Sequence, residues 1–223
     1  TIRDYEGNRL DSIQDGYTIK SDVNDWAQHD FIANYMNKLW KICYEAVYNK
    51  KYYRFDSSYE LVQFVPEGAD ENARCFNCIS SVIDVDSLAD MYIFNELVCD
   101  PDLYLTSFFM DIDFAPGKDK KLHFQAPWDF DSTMGNKSFA IESTGLESPD
   151  KINLTTIDQM FAGLCQTDVN CWAPKTNGNP WMVIFIRQAW FQKLVKEHWA
   201  QIDTAAVLAY LQEYIDACSA PEY

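Results

Sequence analysis

The sequence predicts an α+β fold, mostly α, in which helices pack around one short β-hairpin. Three observations carry this. Residues 108–126 alternate apolar and polar on both sides of a Pro-Gly loop, which is the period of a half-buried hairpin. Several longer stretches repeat their apolar residues at helical spacing. Hydrophobic residues make up 48% of 223 positions, enough for one large packed core and too many for a disordered chain.

In chain order, residues 1–24 are polar, and Tyr17, Ile19 and Val23 predict a short strand. Trp26, Ile32, Tyr35, Leu39, Ile42 and Val47 predict a largely buried helix over 25–48, capped by Asn24 or Asp25. Residues 59–65 read as extended, and 66–72 as a polar, mobile loop. Leu88, Met91, Tyr92, Asn95, Leu97 and Val98 mark the buried stripe of a helix over 86–99, with Asp84 or Asp86 as cap. Asn95 reads as a satisfied structural amide on that stripe, and Glu96 as a surface residue. Beyond the hairpin, 130–152 is irregular, and a loop of that length is usually functional or mobile. Leu154, Ile157, Met160, Phe161 and Leu164 predict a further helix. Residues 165–180 form a loop, 181–199 a long helical region with a break near Gln188, and 205–217 a last helix. The expected division is a lead-in segment, 1–80, with its long helix, and a core unit, 81–223, both within one domain.

The hairpin matters because of what its open end gathers. Centring the turn near residues 117–118 makes paired positions add to about 235. Ser107 then lies opposite Trp128 and next to Asp129. Asp102 precedes the first strand by a short turn, and Asp131 follows the second. Carboxylates held together repel, so they call for a cation, and oxygen-only ligands favour a hard ion such as magnesium, manganese or calcium. The same aspartates also read as turn and cap residues, a common place for Asp.

A net charge of −16 excludes non-specific nucleic-acid binding, which rests on Lys and Arg, and disfavours an anionic membrane surface. No apolar run is long enough to predict membrane insertion. Among seven cysteines there is a single C-x-x-C, Cys75–Cys78, without the second pair a zinc knuckle needs, so it reads as a local disulfide or two free thiols. Cys165 and Cys171 flank a loop they could close by a disulfide. Asn136 and Asn153 begin glycosylation sequons. Disulfides with sequons point to an extracellular or cell-surface glycoprotein. A glycan on Asn136 would crowd the aspartates. His29, His123 and His198 are scattered and read as packing or surface residues. The chain opens on Thr without Met and reads as a piece of something longer.

Asn95-Glu96-Leu97, then Asp102, Ser107 five positions on, a hairpin, and Pro127-Trp128-Asp129-Phe130-Asp131 with Gly135 together resemble the CotH kinase family of spore-coat-type atypical protein kinases. The spacing from Asp102 to Ser107 equals that from Asp to Asn in the ordinary kinase catalytic loop. The resemblance covers roughly residues 80–218 and implies a protein-kinase-like C-lobe. It implies magnesium- or manganese-dependent transfer of phosphate from ATP to a protein Ser or Thr. Asp102 would orient the substrate hydroxyl and take its proton, while Asp129, Asp131 and Ser107 would hold metal and nucleotide. Ser107 stands where the family pattern has Ser or Asn, and a short hydroxyl implies a weaker metal contact than an amide carbonyl. Trp128 is expected to pack under the loop, and Gly135 to permit the turn. No glycine-rich phosphate loop and no lysine paired with a helix glutamate are legible, so an N-terminal lobe or preceding chain is an implied partner. The competing reading is a non-catalytic surface, coat or adhesion protein that keeps the fold, with the aspartates holding calcium or serving as caps and with coat-assembly partners.

Overall fold

The computed structural model describes residues 18–98, 107–130 and 180–219. The expected helix over 154–164, the irregular segment from 131 onward and the strand residue Tyr17 lie outside the described residues, as do Asp102, Asp131, Asn136, Asn153, Cys165 and Cys171.

Residues 18–25 carry neither helix nor strand. Helix α1, Trp26–Tyr44, starts where Asp25 Oδ1 accepts from the Gln28 backbone N–H at 2.8 Å. Gln28 in turn accepts from the Asn24 backbone N–H at 2.7 Å, so one orphan donor of the first turn and the N–H just before the cap are satisfied reciprocally. Only the second half of α1 is core: Tyr35, Leu39, Ile42 and Cys43 are buried, whereas Trp26 is 80% exposed. The expectation of a largely buried helix fails at that end because, among the described residues, none covers Trp26. A π-helical turn, Glu45–Asn49, follows and stops at Lys50, whose φ of 54° is left-handed.

Strands β1, Tyr53–Phe55, and β2, Leu61–Gln63, form an antiparallel hairpin; β2 was legible in the sequence and β1 was not. The loop expected over 66–72 is shorter. Asp70 accepts from the Ala73 N–H at 2.8 Å and starts α2, Glu71–Ile79. Cys75 and Cys78 sit one turn apart on α2, buried and free, so of the two alternatives expected the pair of free thiols is found and the local disulfide is not. Their thiols face the core, where Cys43 of α1 is also buried, and Cys78 donates to the Tyr53 carbonyl at 3.5 Å.

Helix α3, Val85–Val98, is capped by Asp84, whose carboxylate accepts from the N–H groups of Asp86 and Ser87. One face of it is wet, the stripe of Asp86, Asp90, Phe94 and Leu97, and the rest is largely buried, which overturns two expectations. Glu96 is buried at 4% exposure, and Leu97 is 47% exposed. The expected stripe placed Leu97 on the dry face by its apolar character, whereas its position two turns after Asp90 puts it on the wet one.

Strands β3, Phe109–Asp111, and β4, His123–Gln125, are the expected hairpin. Helices α4, Pro180–Phe185, and α5, Ala189–Trp199, flank the expected break. One continuous core joins the second half of α1 to α2, α3, β4, α4 and α5. Trp181 is its centre, with ring edges on Trp40 and Phe124. Tyr92 of α3 meets Phe191 of α5 edge-on at 5.6 Å. Helix α6, Thr204–Cys218, comes last and has no buried residue. The described architecture is α+β and mostly helical.

Candidate functional site

The hairpin is held at both ends, and that decides where its open end lies. Leu122 N–H donates to the Val82 carbonyl, and Asp84 N–H to the Leu122 carbonyl, each at 2.9 Å. Ser87 Oγ accepts from the Phe124 N–H at 3.0 Å. His123 bridges Asp84 at 2.9 Å and Asp119 at 3.1 Å. The start of α3 therefore carries β4 as though it were a neighbouring strand. At the turn, Pro116 and Gly117 occupy the central positions of a β-turn closed by Lys118 N–H to the Ala115 carbonyl, and Gly117 takes the positive φ, 83°. Tyr35 of α1 donates to the Lys120 carbonyl at 3.1 Å, and Phe114 meets the Tyr35 ring edge-on at 4.9 Å.

The ladder pairs Phe109 with Gln125, Met110 with Phe124 and Asp111 with His123. That is one position away from the expected register, which put Ser107 opposite Trp128. The pleat is the reason. Met110 and Phe124 must share the core face, and a slip of one residue would turn one of them outward.

The two ends nevertheless meet. Ser107 Oγ donates to Asp129 Oδ2 at 3.2 Å. Three non-glycine residues near this end are left-handed: Ser107 (φ 59°), Ala126 (φ 53°) and Asp129 (φ 68°). Each such residue costs about 1–2 kcal/mol. The bends carry the chain past the end of the ladder and bring Asp129 to the serine. Residues held this way cluster at functional sites. Asp129 is exposed. Trp128 is 63% exposed, so it does not pack under the loop as expected. Phe130, for which the sequence set no role, meets Phe94 of α3 edge-on at 5.0 Å.

The last turns of α3 add two buried polar side chains. Asn95 donates to the Met91 carbonyl at 2.7 Å and is the satisfied amide expected. Glu96 was missed. A carboxylate is almost never this buried unless engaged, and Glu96 does have a partner. No local pattern in the sequence signals its burial.

A hydroxyl and a carboxylate oxygen side by side make a two-donor beginning for a hard cation. Neighbouring ligands of magnesium sit about 2.9 Å apart and those of calcium about 3.4 Å, so the observed separation suits either. Among the described residues no group of three His, Cys, Asp or Glu side chains is arranged to hold a metal ion.

The family model described as CotH kinase protein matches residues 5–221. The chain belongs to the CotH kinase family. No curated protein and no solved structure matches it. The match reaches well before residue 80, so the CotH resemblance extends through α1 and α2. Of the residues singled out for this CotH chain's chemistry, Ser107 and Asp129 are brought together, and Asp102 and Asp131 lie outside the described residues. Each histidine lies against a carboxylate: His29 beside Asp30, His123 beside Asp84 and Asp119, and His198 of α5 beside Asp90 at 2.7 Å and Asp86 at 3.1 Å.

Proposed function

We propose that this chain carries the metal-facing part of a CotH-type protein kinase, transferring the terminal phosphoryl group of ATP to a protein Ser or Thr. One observation supports this above the others. Ser107 and Asp129, twenty-two positions apart, share a hydrogen bond across the open end of a hairpin held at both ends, and both are in left-handed backbone conformations. Turn-capping aspartates need no such partner.

In this reading Asp129, Ser107 and Asp131 hold magnesium or manganese. The ion, when bound, neutralises charge on the phosphates. Asp129 would hold the ion through its carboxylate, and Ser107 would hold it through its hydroxyl oxygen in place of its hydrogen bond to Asp129. Asp102 orients the acceptor hydroxyl and takes its proton. Calling the helices a kinase-type C-lobe belongs to the same proposal, as do a preceding lobe that clamps the nucleotide, sequon glycans and a location outside the cell.

The test is incubation of the complete protein carrying this chain with labelled ATP and manganese, beside Asp129→Asn. The amide keeps the shape and loses the charge. Transfer should fall at least a hundredfold, as expected when a phosphate-neutralising group is lost. Equal labelling of the two proteins would remove the kinase reading and favour a surface or coat component that keeps the fold.

A further inference from the structure

Helix α6 is fifteen residues long, and none of them is buried. A helix of that length is marginal alone in water, so its stability has to come from packing. Its apolar residues are in plain view: Leu208 is 66% exposed, Tyr214 62% and Ile215 55%. They are not scattered. Leu208, Leu211, Ile215 and Cys218 fall at alternating spacings of three and four, the seam of a coiled coil. In heptad terms Leu208 and Ile215 take the a positions, and Leu211 and Cys218 the d positions. Val207 and Tyr214 flank the seam at g.

We propose that α6 pairs with α6 of a second copy of this chain, parallel and in register. Charge selects the occupant. Flanking e and g positions usually carry the charges that choose a partner. Here g holds Val207 and Tyr214, and e holds Ala205 and Gln212, so no like charges oppose each other across a self-pair. Gln212 donates to Asp216 of its own helix at 2.7 Å. The only charged side chains, Glu213 and Asp216, sit on the far face, and α6 has no Lys or Arg. A partner of opposite charge would find nothing to pair with on the seam. The chain's net charge of −16 opposes self-association at long range, but charges beyond about 8 Å are largely screened at physiological salt.

Residue type points to two parallel strands. Ile215 at a with Leu211 at d is the combination that favours a parallel dimer. The exposed apolar side chains of α6 offer roughly 600 Å² per copy, the lower limit for a specific interface. Two heptads on that area make a weak, concentration-dependent dimer. Cys218, free and exposed, would lie in the seam beside its counterpart.

Sedimentation equilibrium of the intact chain tests this from about 1 to about 200 µM, a range suited to weak association. The mass should rise with concentration from 25.8 kDa toward twice that value. Leu211→Glu should hold it at the monomer value at every concentration; its circular dichroism and melting temperature should match those of the unsubstituted chain at about 1 µM, where both are monomers, and fall below them at about 200 µM, where the dimer stabilises the chain by mass action. A short bis-maleimide should join two chains through Cys218, and Cys218→Ser should abolish that product. Antiparallel pairing would set the thiols about 20 Å apart by the helical rise and give no such product, which overturns the parallel register. A mass fixed at 25.8 kDa throughout would overturn the dimer. A melting temperature of Leu211→Glu already lowered at about 1 µM, where both proteins are monomers, would overturn it as well, because the stripe would then be covered by its own chain.

Discussion

His198 should make the stability of the α3–α5 contact depend on pH. Its ring joins α5 to two carboxylates of α3, Asp90 at 2.7 Å and Asp86 at 3.1 Å. Desolvation pushes its pKa down, but the hydrogen bonds and charges of Asp90 and Asp86 outweigh that, and the net shift is upward from 6.5. A raised folded-state value means that the charged ring's contribution is fully present below pH 6.5 and is lost as pH rises through the higher folded value. Both aspartates are 69% exposed, so the pairs belong nearer the surface range than the buried one. Together they should contribute about 1 kcal/mol after screening. In His198→Ala the packing loss is the same at every pH, so the difference between two pH values isolates the charge. Urea unfolding followed by tryptophan fluorescence should show the variant's deficit to be about 1 kcal/mol larger near pH 5.5 than near pH 8.5. Asp90→Asn should shrink that difference. An equal deficit at both pH values, or a larger one at high pH, would refute the reasoning.

Two further predictions concern the support of the site and the core. Ser87→Ala leaves the half-buried Phe124 N–H without its acceptor and should cost about 1–2 kcal/mol in denaturant unfolding; faster amide exchange along β4 would locate the loss. Burial pushes the Cys78 thiol up to about 12, and Cys43 and Cys75 are raised by burial as well. In native protein a maleimide should therefore label Cys218 quickly and spare these three until denaturant is added, because the thiolate is the reactive form. Peptide mapping by mass spectrometry reads this directly, and prompt labelling of Cys78 would contradict the packed core described for α2.

The helices were legible where capping residues and apolar positions at helical spacing coincide. The break between α4 and α5, the cap at Asp25 and the span of α6 all lie close to where spacing and capping chemistry set them. Helix α2 was missed because its polar first turn reads as more loop, although Asp70 was there as its cap. Glu96 was misjudged for a different reason: the surroundings of α3 come from α5 and β4, far away along the chain, and no local pattern reports them.

The candidate site divides in the same way. Local chemistry alone determined that there would be a hairpin, that its turn would fall in the Pro-Gly loop, expected near 117–118 and found at Pro116–Gly117, and that Ser107 and Asp129 would lie near its open end. Only the tertiary structure decided the register, because the core that Met110 and Phe124 share is built by distant helices. It alone also decided that Ala126 and Asp129 bend into left-handed conformations and bring a carboxylate to a hydroxyl. A one-residue slip alters no local preference, yet it turns every side chain of the strand to the other face, so packing has to make the choice.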